Sequence, residues 1–252
     1  MARPLRRRAE RLRTSALLLR RVPVGEADLI ATFFTEERGL LAAVARGARR
    51  STKRFGGLEP MHLLRLELDE RAGADLAGLV EASIERPRLH LTADLPRLDA
   101  AGRALRWVRD ITPAHIAEPD VWRELNRLLD ELDTPPGAPT SPEHPPLTPD
   151  AVLVVAGLRF LNAFGWGLDL GRCVRCGRTC DPGTSAYADP ARGGLVCRAC
   201  GGGRLLLRAE LRERLADLAS GGEGAIAPDD LRTALDLVEG ALTAHASGGA
   251  GT

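Results

Sequence analysis

Aromatic residues make up 4% of the 252 positions, and lysine occurs once, at Lys53. No run of about 18 uncharged apolar residues exists, which excludes a helical membrane span. The N-terminus is rich in arginine but lacks the apolar core of a secretory signal, so the expected compartment is the cytoplasm. The five histidines (His62, His90, His115, His144, His245) are scattered, with no pair at metal-ligand spacing. There is no glycine-rich phosphate loop followed by Lys-Ser/Thr, and no Gly-x-Ser-x-Gly elbow. Clustered carboxylates suited to nuclease chemistry are also missing. Asp229-Asp230, Asp94 and Asp99 stand beside prolines at helix starts, where capping explains them. These absences argue against an enzyme.

What the chain does have is an uneven charge. The net charge is only +1, yet residues 1–54 hold 14 Lys and Arg against five acids, a surplus of nine. The remaining residues carry a deficit of eight. A basic head on an acidic body is the footprint of a polyanion binder. A genome rich in G and C explains why the bases are arginine, but not why they gather at one end.

Residues 1–13, with six arginines and little to bury, are expected to form a mobile arm. From Thr14 to residue 86 the pattern is that of short strands: Ser15–Arg21, Asp28–Thr35 and Leu40–Arg46. Leu64, Leu66 and Leu68 then alternate with charged residues, and Leu76, Gly78, Val80, Ala82 and Ile84 are taken as the repeat of that pattern after a turn at Gly73. Five strands in about 70 residues suggest a small barrel of OB-fold type. Beyond Pro87 the period lengthens to that of helices, with stripes at Leu98, Ala101, Leu105 and Val108 and at Val121, Leu125, Leu128, Leu129 and Leu132. Seven of 17 prolines fall within residues 133–149, a solvated loop. Ala151–Phe164 reads as a buried helix. Leu207, Leu211, Leu215 and Leu218 mark another, and Leu231, Leu235, Val238 and Leu242 the last, before a frayed tail at 246–252. The expected fold is α+β and multidomain: an N-terminal five-stranded barrel (14–86), then a helical domain (87–245) carrying a four-cysteine insertion (171–203).

Two segments carry chemistry. Cys173-Val-Arg-Cys176-Gly177 and Cys197-Arg-Ala-Cys200-Gly201 are separated by 20 residues. Two residues between thiolates let both sulfurs reach one ion, and two such pairs complete a zinc tetrahedron with no open position. The site is therefore structural. A glycine after each pair suits a knuckle in which backbone N–H groups turn towards sulfur. Cys180 is a spare thiol. The second segment is the run Arg46, Arg49, Arg50, Lys53 and Arg54, five cations in nine residues with no acid between them. On a barrel loop it would track phosphates. With only Phe33, Phe34 and Phe55 in the head, of which one of the adjacent pair is expected to fill the core, stacking is a minor contribution and electrostatics should dominate.

A basic five-strand head with Ala-Arg-Gly-x-Arg after a Gly-Leu-Leu strand resembles the RecO family of bacterial recombination-repair mediators. So do the passages LNAFGWGLDLGRCVRCG and GGLVCRACG, and the likeness runs over residues 14–245. It implies an OB-fold and a helical domain with a zinc-finger-like insertion, and binding of single- and double-stranded DNA. It also implies annealing of complementary strands, contact with the acidic C-terminal tail of single-strand-binding protein, and a complex with RecR that helps load RecA. Carried onto this chain, the DNA-binding residues are Arg46, Arg49, Arg50, Lys53 and Arg54, and the zinc ligands are Cys173, Cys176, Cys197 and Cys200. The tail-binding groove would lie in the helical body, for instance around Arg103, Arg106, Arg109 and Arg123. The alternative is a zinc-ribbon scaffold or transcription-associated factor whose basic head binds RNA or protein.

Overall fold

A computed structural model describes residues 10–70, 76–137 and 147–248. It divides into two compact units. The first runs to Ala93 and takes back Thr112–Trp122; the second holds Asp94–Ile111 and the chain from Arg123 onward.

The first unit is a closed five-stranded barrel. Strands β1 (Glu10–Val24), β2 (Asp28–Thr35), β3 (Gly39–Ala45), β4 (Leu63–Glu70) and β5 (Ala77–Arg86) pair in the order β1-β2-β3-β5-β4. One helical turn, α1 (Thr52–Phe55), lies between β3 and β4, and a second, α2 (Leu89–Thr92), follows β5. The contact of β3 with β5 is parallel and short; the others are antiparallel. This is the OB-fold barrel that the strand count implies. Leu64, Leu66 and Leu68 are wholly buried in its core with Ala31, Phe33, Ala43 and Phe55, as the alternation on β4 requires.

Three readings of this unit change. Strand β1 begins at Glu10, inside the segment expected to be an arm. Arg11 pairs with Glu67 at 2.8 Å and Arg13 with Glu67 at 3.2 Å, while Leu12 between them packs against the core. Alternating charge on a solvated face looks like an arm until its cross-strand acids are known. On β5 the buried residues are Leu79 and Ala82, whereas Leu76 and Ile84 are exposed. The β4–β5 register slips between the Glu67–Glu81 and Leu68–Leu79 pairs, a bulge that places an extra residue at Val80 and reverses the alternation. Finally, β1 continues through Pro23 to Val24. There it pairs with β2 alone, so the missing N–H of proline interrupts no ladder on its other edge.

Residues 112–122, which the hydrophobic pattern assigns to the helical domain, return to the barrel. His115 N–H donates to the Leu40 carbonyl at 2.9 Å, and Trp122 packs edge-on against Phe34 with ring centroids 5.8 Å apart. Both Phe33 and Phe34 are thus buried, one inside the barrel and one outside it under this segment. Gly39, at φ 61°, leaves room for Ile116, whose carbonyl oxygen would overlap any Cβ placed there. Gly39→Ala is therefore expected to destabilise the barrel by about 2 kcal/mol or more, read as a lower urea midpoint at unchanged slope.

The second unit has α3 (Leu95–Ile111), most of α4 (Pro119–Leu132), α5 (Pro149–Ala163), α6 (Ala209–Ala219) and α7 (Leu231–Gly248). Helix α5 is central: apart from Pro149, Asp150, Arg159 and its C-terminal residues it is buried, lying against α3, α6 and α7. The stripe on α4 is buried as the period requires. Leu207 belongs to a strand and not to α6, and residues 246–248 continue α7. Residues 1–9 of the expected arm, the Gly73 turn, 138–146 of the proline-rich loop and the tail 249–252 lie outside the described residues. Between α5 and α6 a four-stranded sheet forms from β6 (Asp169–Cys173), β7 (Ala186–Asp189), β8 (Gly194–Leu195) and β9 (Leu205–Leu207), ordered β6-β8-β7-β9.

A buried cation ties this sheet to α6. The Arg212 guanidinium donates to the carbonyls of Leu170 (3.0 Å), Thr184 (3.1 Å) and Asp181 (3.1 Å) and to the Glu213 carboxylate. Arg212→Met would leave three carbonyls unsatisfied, and we expect a loss of about 2–4 kcal/mol in urea unfolding. Asp230, expected to act as a cap, instead accepts from Arg208 at 2.6 Å, and the same ion pair raises the Arg208 pKa. Among the described residues no helix is long and apolar enough to cross a membrane.

Candidate nucleic-acid interface and four-cysteine centre

The basic run follows β3 and folds back on the β1–β2 turn. Gly47 N–H donates to the Asp28 carboxylate at 2.8 Å, and Arg49 N–H to the Ala27 carbonyl at 3.0 Å. The Arg49 guanidinium reaches the Glu26 carbonyl at 3.3 Å, and Arg50 pairs loosely with Glu26 at 3.4 Å. Arg54 lies 4.8 Å from the ring centroid of Phe55, which anchors α1 in the barrel core, and donates to the Arg46 carbonyl. All five cations are exposed, and among the described residues the only carboxylate paired with any of them, Glu26, is 90% exposed. The loop is thus held by its backbone while its charges stay in solvent. Such pairs are worth little and are given up readily to a phosphate.

The register adds residues that the charge count did not find. Val22 pairs with Ile30 and Ile30 with Val44, while Arg20 pairs with Thr32 and Thr32 with Ala42. Cross-strand partners share a face, so these six form one outer surface of β1, β2 and β3. Val22 and Val24 are exposed there. Phe34 and Leu40, further along, are covered by the returning segment. The open part is therefore aliphatic, flanked by Arg20 and, past the end of β3, Arg46. The signal was present as period-2 alternation in β2 and β3, but it points both ways until the inner face is known.

In the second unit the four cysteines of the two pairs come together. The sulfurs of Cys173, Cys176, Cys197 and Cys200 all lie within 4.8 Å of one another, and those of Cys176 and Cys197 are 3.7 Å apart. With metal–sulfur bonds of about 2.3 Å, the edge of a zinc tetrahedron is about 3.8 Å. The glycines behave as knuckles require: Gly177 has φ 72° and Gly201 φ 103°. Cys197 N–H donates to the Cys173 sulfur at 3.4 Å. That bond, helped by the N–H groups of Arg175 and Cys176 and opposed by burial, holds the Cys173 thiol down at about 6. Cys200 is pushed up to about 12 by the neighbouring thiols of Cys197 and Cys176 and by burial. One thiolate forms readily, and a full set demands a cation. The donor set therefore fits a thiophilic metal ion. Cys180 stays outside the cluster, its sulfur 3.9 Å from the Thr184 carbonyl.

In the helical body, Arg103 is engaged by Glu239 at 2.7 Å and Asp150 at 3.5 Å, and Arg109 by Asp110. Of the four arginines singled out there, Arg106 is exposed and makes no ion pair or hydrogen bond among the described residues.

Comparison with known proteins agrees with this arrangement. Residues 10–88 match the family model "Recombination protein O N terminal", and residues 92–250 match "Recombination protein O C terminal". A DNA repair protein RecO of Anaeromyxobacter sp. (strain K) is 36% identical over 226 residues, 88% of this chain and 84% of that protein. One from Geobacter metallireducens is 33% identical over 240 residues, covering 94% and 93%, and one from Cutibacterium acnes is 33% identical over 195, covering 75% and 73%. Matched by both family models over most of its length and by relatives at 33–36% identity, the chain belongs to the RecO family of DNA repair and recombination proteins.

Proposed function

We propose that this chain is a non-catalytic recombination mediator: it binds single- and double-stranded DNA, anneals complementary single strands and, together with RecR, helps load RecA onto strands coated by single-strand-binding protein. The observation that carries the reading is the exposed row Arg46, Arg49, Arg50, Lys53 and Arg54 on a barrel in a chain of this family. Its role is electrostatic. Cations that neutralise phosphates on two strands lower their mutual repulsion and release counterions, and base pairing supplies the remaining drive. The aliphatic face of β1, β2 and β3 gives bases an apolar surface without aromatic stacking, which suits binding with little sequence preference.

Cys173, Cys176, Cys197 and Cys200 are the residues that hold a single structural zinc ion. Bound there, zinc supplies cross-linking of the insertion and no reaction step, because four thiolates leave no open position. The partners are DNA, RecR and the acidic tail of single-strand-binding protein, with RecA engaged indirectly, and the place of work is the cytoplasm at sites of repair.

The test is loading. Single-stranded DNA coated with single-strand-binding protein is mixed with RecA, and filament formation is followed with this chain, with RecR, and with both. A shortened lag only when both are present supports the reading. Equal lags in all three mixtures contradict it.

A further inference from the structure

The four-cysteine insertion carries a second feature next to its metal ligands, two of which, Cys173 and Cys197, share its lining. A cleft of about 370 Å³ opens on the outer face of its sheet. The floor is the cross-strand pair of Tyr187 on β7 and Leu206 on β9, with Leu206 53% exposed. Arg178 and Arg198 stand in the lining, and the Arg198 guanidinium lies 5.6 Å from the Tyr187 ring centroid. Tyr187 is the only tyrosine of the chain. Thr184 and Ser185 add hydroxyl groups.

The charge around it is positive. Residues 169–207 hold six arginines and three aspartates. Asp169 is tied to Arg172 at 3.0 Å and Asp189 to Arg192 at 3.1 Å, which leaves Arg175, Arg178, Arg198 and Arg204 against Asp181 within the insertion and Glu213 of α6, whose carboxylate accepts from Gly183 N–H at 2.7 Å. A divalent ion on four thiolates adds two negative charges nearby, which Arg175, Arg178 and Arg198 offset.

We infer that this cleft binds one nucleotide of a single DNA strand, its base against Tyr187 and Leu206 and its phosphate at Arg178 and Arg198. Three properties select that occupant. The cavity falls within the range of about 300–1,000 Å³ that small ligands fill. A flat ring beside guanidinium groups is the combination that grips a base and its backbone together. A base reaches such a floor only when unstacked, so the ligand is a single strand and not a duplex. The inference rests on the DNA-binding reading above and deepens it: each unit then has its own strand contact, the least that joining two strands requires.

Photocrosslinking tests this on the full-length chain with its metal bound. The probe is an oligothymidylate of about a dozen nucleotides carrying 5-iododeoxyuridine, with adducts mapped by peptide mass spectrometry. Adducts are expected both on barrel peptides and on the peptide that holds Tyr187. Arg178→Gln with Arg198→Gln should cut the insertion adduct at least tenfold, and Tyr187→Ala should remove it; Tyr187→Phe should keep it. An unchanged zinc-to-protein ratio in each variant shows that the insertion is still folded. Charge reversal at Arg49, Arg50 and Lys53, with the oligonucleotide raised until it saturates the weakened variant, should remove barrel adducts and spare the one at Tyr187. Adducts confined to the barrel, or an insertion adduct that disappears with the barrel charges, overturn the inference while leaving DNA binding intact. Failure of the wild-type chain to bind the oligonucleotide at all would instead remove the DNA-binding reading, and the cleft assignment with it.

Discussion

Charge reversal at Arg49, Arg50 and Lys53 is expected to lower affinity for single-stranded DNA at least 100-fold at 0.1 M salt and to abolish annealing. The size follows from counterion release. Each phosphate contact on a single strand contributes about 0.7 to the slope of log affinity against log salt, so three lost contacts remove a slope of about 2, which at 0.1 M is about 100-fold. Reversed charges add repulsion. The fold should not suffer, because all three side chains are exposed and, among the described residues, only Arg50 has a carboxylate partner, itself 90% exposed. Stability within about 0.5 kcal/mol of wild type is the accompanying result. Fluorescence anisotropy across a salt series reads the first effect and urea unfolding the second. Wild-type slope and annealing in the triple variant would remove the basic loop from the mechanism.

The second large effect concerns the metal. Cys173→Ser or Cys197→Ser should drop bound zinc from one ion per chain to near zero. Cys173 is buried and accepts a backbone N–H from Cys197, so it joins the two knuckles as well as holding the ion. Structural zinc is worth about 10–16 kcal/mol in isolated fingers. If half of that is lost here, melting falls by about 10–30 °C for a unit of this size. Cys180→Ser is the control: its sulfur lies outside the cluster, and metal content and melting should not move. Elemental analysis with a melting curve distinguishes the two. Barrel binding of DNA should persist in all three variants, since the barrel has its own core. Full zinc in Cys197→Ser, or its loss in Cys180→Ser, would contradict the ligand set.

Much of this was legible in the residues, and where it was not the cause is tertiary. The four cysteines and their two glycines announce their centre through spacing alone, because a knuckle is a local structure. Leu64, Leu66 and Leu68 fix their strand for the same reason. Strand β5 kept Ala82 inside but departed elsewhere because a bulge at Val80 moves the inward position ahead of it to Leu79, and nothing in one strand's sequence reports its partner's register. Arg11 and Arg13 looked like an arm until Glu67, 54 and 56 residues on, supplied their partner. Arg212 gave no signal: one arginine in an amphipathic helix is ordinary until three carbonyls from the insertion close around it. The return of Thr112–Trp122 to the barrel was hidden because it depends on Gly39 leaving space for a backbone far along the chain.

The central claim is that exposed barrel cations make this chain an annealing mediator. Its most direct test mixes two complementary labelled oligonucleotides, bare or coated with single-strand-binding protein, with the full chain across a salt series. The account expects annealing well above the spontaneous rate on both bare and coated strands, falling steeply as salt rises. Tight binding with no acceleration of annealing at any salt would contradict it.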